Sequence, residues 1–278
     1  MKTTCKTLFA ALCALTLTAC GSKTDGNTTA DSTVISEPLE AGMGETKIEI
    51  KEGVTPLVFV PVKGGTFDMG DPNGQKHNDD ISEAPAHKVT VSDYQICKIE
   101  VTQDQWETVM GKNPAQQNDD PQKPVENVSW NDTQAFIAKL GQMTGHQFRL
   151  PTEAEWEFAA RGGTKSKGTL YAGSDNAEDV VNSFEYGHGK TWVVGQVGAN
   201  ELGLFDMCGN VAEWVQDFYA DYTDAEQTDP KGPATGDYHV YRGGHCNKNA
   251  DECTISIRMK FAPVLPASSI GLRLVLVK

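Results

Sequence analysis

The hydrophobic positions of this chain fall into short clusters whose period changes along the sequence. Leu8 to Leu17 is a continuous apolar run, too short to span a bilayer as a helix. Residues 21–53 are rich in Gly, Ser, Thr, Asp and Glu and poor in aromatics, the composition of a tether with little core of its own. From Leu57 the pattern tightens. Leu57-Val58-Phe59-Val60 reads as a strand, Gly64-Gly65 as a turn and Phe67-Asp68-Met69-Gly70 as the hairpin partner. Residues 71–86 are polar and Pro-bearing, hence loop. Lys88 to Val91 and Tyr94 to Val101 read as further strands.

Three helices announce their starts. Thr102-x-x-Gln105 is a capping box, followed by Trp106, Val109 and Met110 on one face and closed by Gly111. Ser129-x-x-Asp132 is a looser cap ahead of Phe136, Ile137, Leu140 and Met143, with Gly145 as the stop. Thr152-x-x-Glu155 opens a third helix carrying Trp156, Ala159 and Ala160 before Gly162-Gly163. Beyond residue 163 the pattern is loops, turns and short strands. The expected class is α+β, in a single domain over 57–278. Trp130, Trp156 and Trp214 sit in patterned segments and are expected in the core.

The amino-terminal run acquires a meaning from its flanks. Lys2 and Lys6 precede it, and Leu17-Thr18-Ala19-Cys20 follows. This resembles the bacterial lipobox, in which cleavage precedes a cysteine whose thiol is then acylated. The expectation is a signal peptide over 1–19, a lipidated Cys20, a tether over 20–56, and an exported lipoprotein anchored to a membrane of the bacterial cell envelope. An ordinary signal peptide, with Cys20 incidental, is the alternative.

Charge narrows the partners. Residues 1–19 hold two of the 24 basic residues and none of the 38 acidic ones, so the remainder carries a net charge of -16. No basic stripe exists to neutralise phosphates, which argues against nucleic acid. Four cysteines remain after Cys5, Cys13 and Cys20 are set aside: Cys97, Cys208, Cys246 and Cys253. An even number in an exported protein permits disulfides. Cys246 with Cys253, or Cys208 with either, are open pairings. There is no CxxC or HExxH spacing for zinc.

The order of the motifs is more specific than any of them alone. Phe59-Val60-Pro61-Val62-Lys63-Gly64-Gly65-Thr66-Phe67-Asp68-Met69-Gly70 comes first. Glu83-x-Pro85-x-His87-x-Val89 and Ile99-Glu100-Val101-Thr102 come next. They are followed by Phe148-Arg149-Leu150-Pro151-Thr152-Glu153-Ala154-Glu155-Trp156-Glu157-Phe158-Ala159-Ala160-Arg161-Gly162-Gly163. Gly203-Leu204-Phe205-Asp206-Met207-Cys208-Gly209-Asn210-Val211-Ala212-Glu213-Trp214, Arg242-Gly243-Gly244 and Gly271-Leu272-Arg273-Leu274-Val275 complete the series. The series resembles the formylglycine-generating enzyme, or sulfatase-modifying factor, family over residues 57–278. That resemblance implies a compact fold related to C-type lectins and an oxidation of a Cys in a client polypeptide, using copper(I) held by two cysteines. It places those cysteines four and nine residues after Gly244. Position nine is Cys253, position four is Lys248, and Cys246 lies two residues earlier. Paired soft thiolates suit copper(I), so Cys253 and Cys246 are the candidate catalytic residues.

The resemblance also implies calcium on the carboxylates of Asp206 and Glu213 and the carbonyls of Gly209 and Val211, hard oxygen donors of the right mixture. The alternative is that Asp206 caps a turn and Glu213 meets an Arg. Two functions stand side by side: oxidation of a client polypeptide, and a non-catalytic, calcium-stabilised binding or scaffold lipoprotein with an envelope protein partner.

Overall fold

A computed structural model describes residues 44–71, 76–78 and 81–277. The expected leader, Cys20 and the tether up to residue 43 lie outside the described residues. Among the described residues, regular structure starts before Leu57. Thr46–Ile48 (β1) pairs antiparallel with Leu57–Val62 (β2), and Ile48 is buried. The signal is the alternation Lys47-Ile48-Glu49-Ile50-Lys51, apolar at only two positions and easily read as tether.

Gly65–Met69 (β3) follows, then Lys76–Asn78 (β4) pairs with Ile81–Ser82 (β5) inside the stretch expected to be loop. His87–Val91 (β6) and Tyr94–Cys97 (β7) come next. The second was expected to run to Val101. It stops at Cys97 because the chain leaves the ladder, and Val101 N–H reaches Leu272 O instead. Gln103–Met110 (α1), Trp130–Thr144 (α2) and Glu153–Ala160 (α3) all carry complete reciprocal capping boxes, and Gly111 and Gly145 close the first two in the left-handed region. Gln147–Arg149 (β8) lies between α2 and α3. Ala177–Val180 (α4) and Phe184–Gly187 (α5) are single turns. Ala212–Phe218 (β9), Gln227–Thr228 (β10), His239–Arg242 (β11), Arg258–Phe261 (β12), Ile270–Leu272 (β13) and Val275–Val277 (β14) complete the chain.

The strands form a five-stranded sheet in the order β1-β2-β7-β14-β8, a four-stranded sheet β12-β11-β9-β13 and a three-stranded sheet β10-β6-β3. The carboxy-terminal β14 fills the gap between β7 and β8. The α+β class is as expected. Trp156 and Trp214 are fully buried, each within its own apolar cluster. Trp130 is half-buried and stacks on His239, with ring centroids 3.9 Å apart. Helix α3 packs against β3, β6, β9 and β11, so its acidic residues face the segments that carry the late motifs.

Candidate functional site

The segment before β9 turns through left-handed residues: Asp206 (φ 56°), Gly209 (φ 84°) and Asn210 (φ 57°). Gly209 has no alternative, because a Cβ there would lie 2.3 Å from Asn182 O. The turn brings Asp206 and Glu213 close to Arg273, just before β14. Arg273 Nε donates to both Glu213 carboxylate oxygens at 3.0 Å, and its Nη2 donates to Oε1 at 2.8 Å. Trp156 Nε1 donates to Oε2 at 2.7 Å. Asp206 Oδ2 accepts the Gly195 N–H at 2.6 Å, and burial raises its carboxyl to about 6. A third carboxylate, missed in the sequence, completes the group. Glu100 is fully buried, accepting from Asn210 Nδ2 at 2.6 Å and Val211 N at 3.1 Å. Burial, then the charges of Asp206 and Glu213, push its carboxyl well above the usual range.

Glu213 does not fit the calcium role that the resemblance implies for it. Both Glu213 oxygens are taken by Arg273 and Trp156. The arrangement is the alternative left open above: Glu213 meets an Arg, and Asp206 holds a turn.

The four cysteines are free and buried, so none of the open disulfide pairings is formed. The Sγ–H of Cys253 donates to His245 O at 3.8 Å, and Cys208 Sγ accepts the Ala172 N–H at 3.4 Å. Burial pushes the Cys246 thiol up to about 11 and the Cys208 thiol up to about 12, and raises Cys253 further. Gly244 is tight against this cluster, since a Cβ would stand 2.6 Å from Cys253 Sγ. Lys248, at the second family position, pairs with Glu252 at 2.7 Å. At the second family position copper(I) would therefore meet an ammonium where the resemblance requires a sulfur. The set does not fit a two-thiolate copper site.

The largest buried charge cluster was not legible in the sequence. Arg242 donates to Glu153 Oε1 at 2.8 Å and Glu157 Oε2 at 2.6 Å, and Arg258 donates to both oxygens of Glu153. Glu153 and Glu157 are held below the usual carboxylate range by these arginines, and for Glu157 by Arg161 as well, against the opposing effect of burial. The guanidinium of Arg258 lies over the Tyr222 ring at 3.8 Å. The capped helix has further ion pairs: Arg149 grips Glu155 with two bonds, and Arg161 reaches Glu157. Glu153 reads in sequence as an ordinary first-turn acid; its partners lie 89 and 105 residues later.

Comparison with known proteins agrees with this geometry at the level of fold. Residues 47–278 match the sulfatase-modifying factor enzyme 1-like domain. A chaperone protein, LppX, of Paenibacillus barcinonensis is 29% identical over 254 residues, covering 73% of this chain and 83% of that protein. The formylglycine-generating enzyme of Streptomyces coelicolor is 35% identical over 176 residues, 55% of this chain and 52% of the enzyme. The chain thus spans about half the length of that enzyme. Among solved structures, Treponema denticola variable protein 1 superposes with a TM-score of 0.75 at 28% identity, covering 84% of this chain and 98% of that one. The matched region contains every motif from Phe59 to Val275, and the chain belongs to the sulfatase-modifying factor enzyme 1-like domain family.

Proposed function

We infer that this protein is an exported, lipid-anchored member of the family that holds a polypeptide partner at the bacterial cell envelope without oxidising it. One observation carries the reading. The position of the second family cysteine is Lys248, paired with Glu252, while Cys253 is a fully buried thiol. The chain keeps the scaffold and lacks the donor pair that the oxidation requires. The similarity to a protein named as a chaperone supports a polypeptide as partner. The lipobox at Leu17–Cys20 supports the envelope as location.

The test is a holding assay with an unfolding client. The purified protein should suppress aggregation of a reduced, unfolding polypeptide at near-stoichiometric ratios, and Cys253→Ala should do so equally well. Absence of any suppression contradicts the binding function. Suppression that depends on Cys253 favours client oxidation instead.

A further inference from the structure

A cavity of about 230 Å³ opens away from the cysteine segment, lined by Met69, His87, Asp217, Phe218, Tyr222 and Pro233 among others. Its floor is the buried charge cluster, and that cluster is balanced internally. Glu153 and Glu157 face Arg242 and Arg258, with Arg161 on the outer side of Glu157. Arg258 spends its guanidinium on Glu153 and on Ala220 O at 2.9 Å, and its face lies on Tyr222. It is not turned outward to receive an anion.

Asp217 is different. It is 4% exposed and lines the cavity. Its Oδ2 accepts the Glu153 N–H at 2.9 Å, and its Oδ1 has no protein partner among the described residues. A second carboxylate, Asp221, stands on the same wall. Between them lie apolar surfaces from Met69, Phe218 and Pro233 and the aromatic ring of Tyr222, the wall a long aliphatic stem requires. The site thus offers an acceptor on a largely buried residue, a second acid and apolar sides.

We propose that this cavity receives a guanidinium or ammonium side chain of the polypeptide partner, with Asp217 Oδ1 as its acceptor. The proposal rests on the reading of the protein as a polypeptide binder, and it names the chemistry of one anchor residue. Arginine fits best, because its planar fork reaches a carboxylate while its aliphatic stem lies along the apolar lining.

The groups that face Asp217 set the pH dependence. Burial and the Glu153 charge raise its carboxyl to about 8, Glu155 adds to the rise, and Arg258 opposes it. His87, Asp221 and Tyr222 complete the lining. A cation binds the ionised form of Asp217, so each binding event below that value releases a proton. Affinity therefore rises with pH.

The experiment titrates the protein with n-butylguanidinium chloride, which stays charged throughout, and with neutral butyramide as control, by calorimetry or chemical-shift mapping. The expected result is saturable one-to-one binding of the guanidinium, at least tenfold tighter at pH 9 than at pH 6.5. Asp217→Asn should weaken it at least tenfold and remove most of the pH dependence. Absence of saturable binding, equal binding of butyramide, or a flat pH profile in the unaltered protein overturns the proposal. The profile of the unaltered protein decides the matter even if Asp217→Asn fails to fold. Failure here leaves the holding assay untouched, so the two readings fail separately.

Discussion

Arg273 and Glu213 form a closed, two-point ion pair in the core, with both side chains no more than 1% exposed and three nitrogen–oxygen contacts of 2.8 to 3.0 Å. The pair joins β9 to the end of β13, and Arg273 continues to Cys97 O and Phe205 O at 3.0 and 2.7 Å. One side chain thus ties β9 of the four-stranded sheet to β7 of the five-stranded sheet. Glu213→Gln leaves the guanidinium buried without its counter-charge. Loss of one partner of a buried pair costs about 3–5 kcal/mol. Denaturant unfolding should show a loss of that size, whereas a change below about 1 kcal/mol would mean that the pair is screened by water.

Because Glu213 is committed to Arg273 and Trp156, the loop lacks one of the two carboxylates that the resemblance assigns to calcium. Chelation of the purified protein should leave its melting temperature unchanged. A ligand at about 100 times its dissociation constant adds roughly 2.7 kcal/mol to the native state. A clear fall on chelation, with calcium present in elemental analysis of the untreated protein, would show that the loop binds the ion after all.

The helices were legible because their information is local. Thr102 with Gln105, Ser129 with Asp132 and Thr152 with Glu155 each satisfy the first turn within four residues, and Gly111 and Gly145 mark two of the ends. The sheet order was not. Val275 pairs with Ile96 on one side and Arg149 on the other, and nothing in a three-residue apolar strand names such distant partners. The site was half legible for the same reason. Motif spacing located Asp206, Glu213 and Cys253, but Glu100 reads as one more acid on a strand, and only the fold carries Asn210 and Val211 to it across 110 residues. Asp217 reads as a polar position of an alternating strand, yet it lines a cavity beside the start of α3.

Asp217 also predicts how stability varies with pH. Its carboxyl is raised in the folded state, from about 3.8 to about 8. Its contribution is complete below the unfolded value and is lost as pH rises through the folded one. Each tenfold change in proton affinity is worth about 1.4 kcal/mol, so a loss on the order of a few kcal/mol is expected between pH 4 and 9. Asp217→Asn should flatten that part of the profile and be the more stable protein at pH 9. Parallel profiles for the two proteins would show that Asp217 ionises freely in the native state.

Lys248 and Glu252 form a pair in which each side chain is about a third exposed, and such pairs contribute about 0–1 kcal/mol. Lys248→Cys should therefore leave the unfolding free energy within about 1 kcal/mol of the parent. It would place a second thiol five residues before Cys253. Copper(I) binding by the variant and not by the parent, followed by competition with a chromogenic chelator, is the expected outcome. Binding by both proteins would show that Cys246 or Cys208 already completes a site.

The central claim is that the fold is retained without the oxidation, and one measurement addresses it directly. The protein is incubated with copper(I), oxygen, a reductant and a Cys-x-Pro-x-Arg peptide, and the peptide is examined for aldehyde by mass spectrometry and hydrazide capture. The account predicts unmodified peptide, because only Cys253 stands at a family ligand position, and the other family position is Lys248, paired with Glu252. Repeated turnover to formylglycine, abolished by Cys253→Ala, would contradict it.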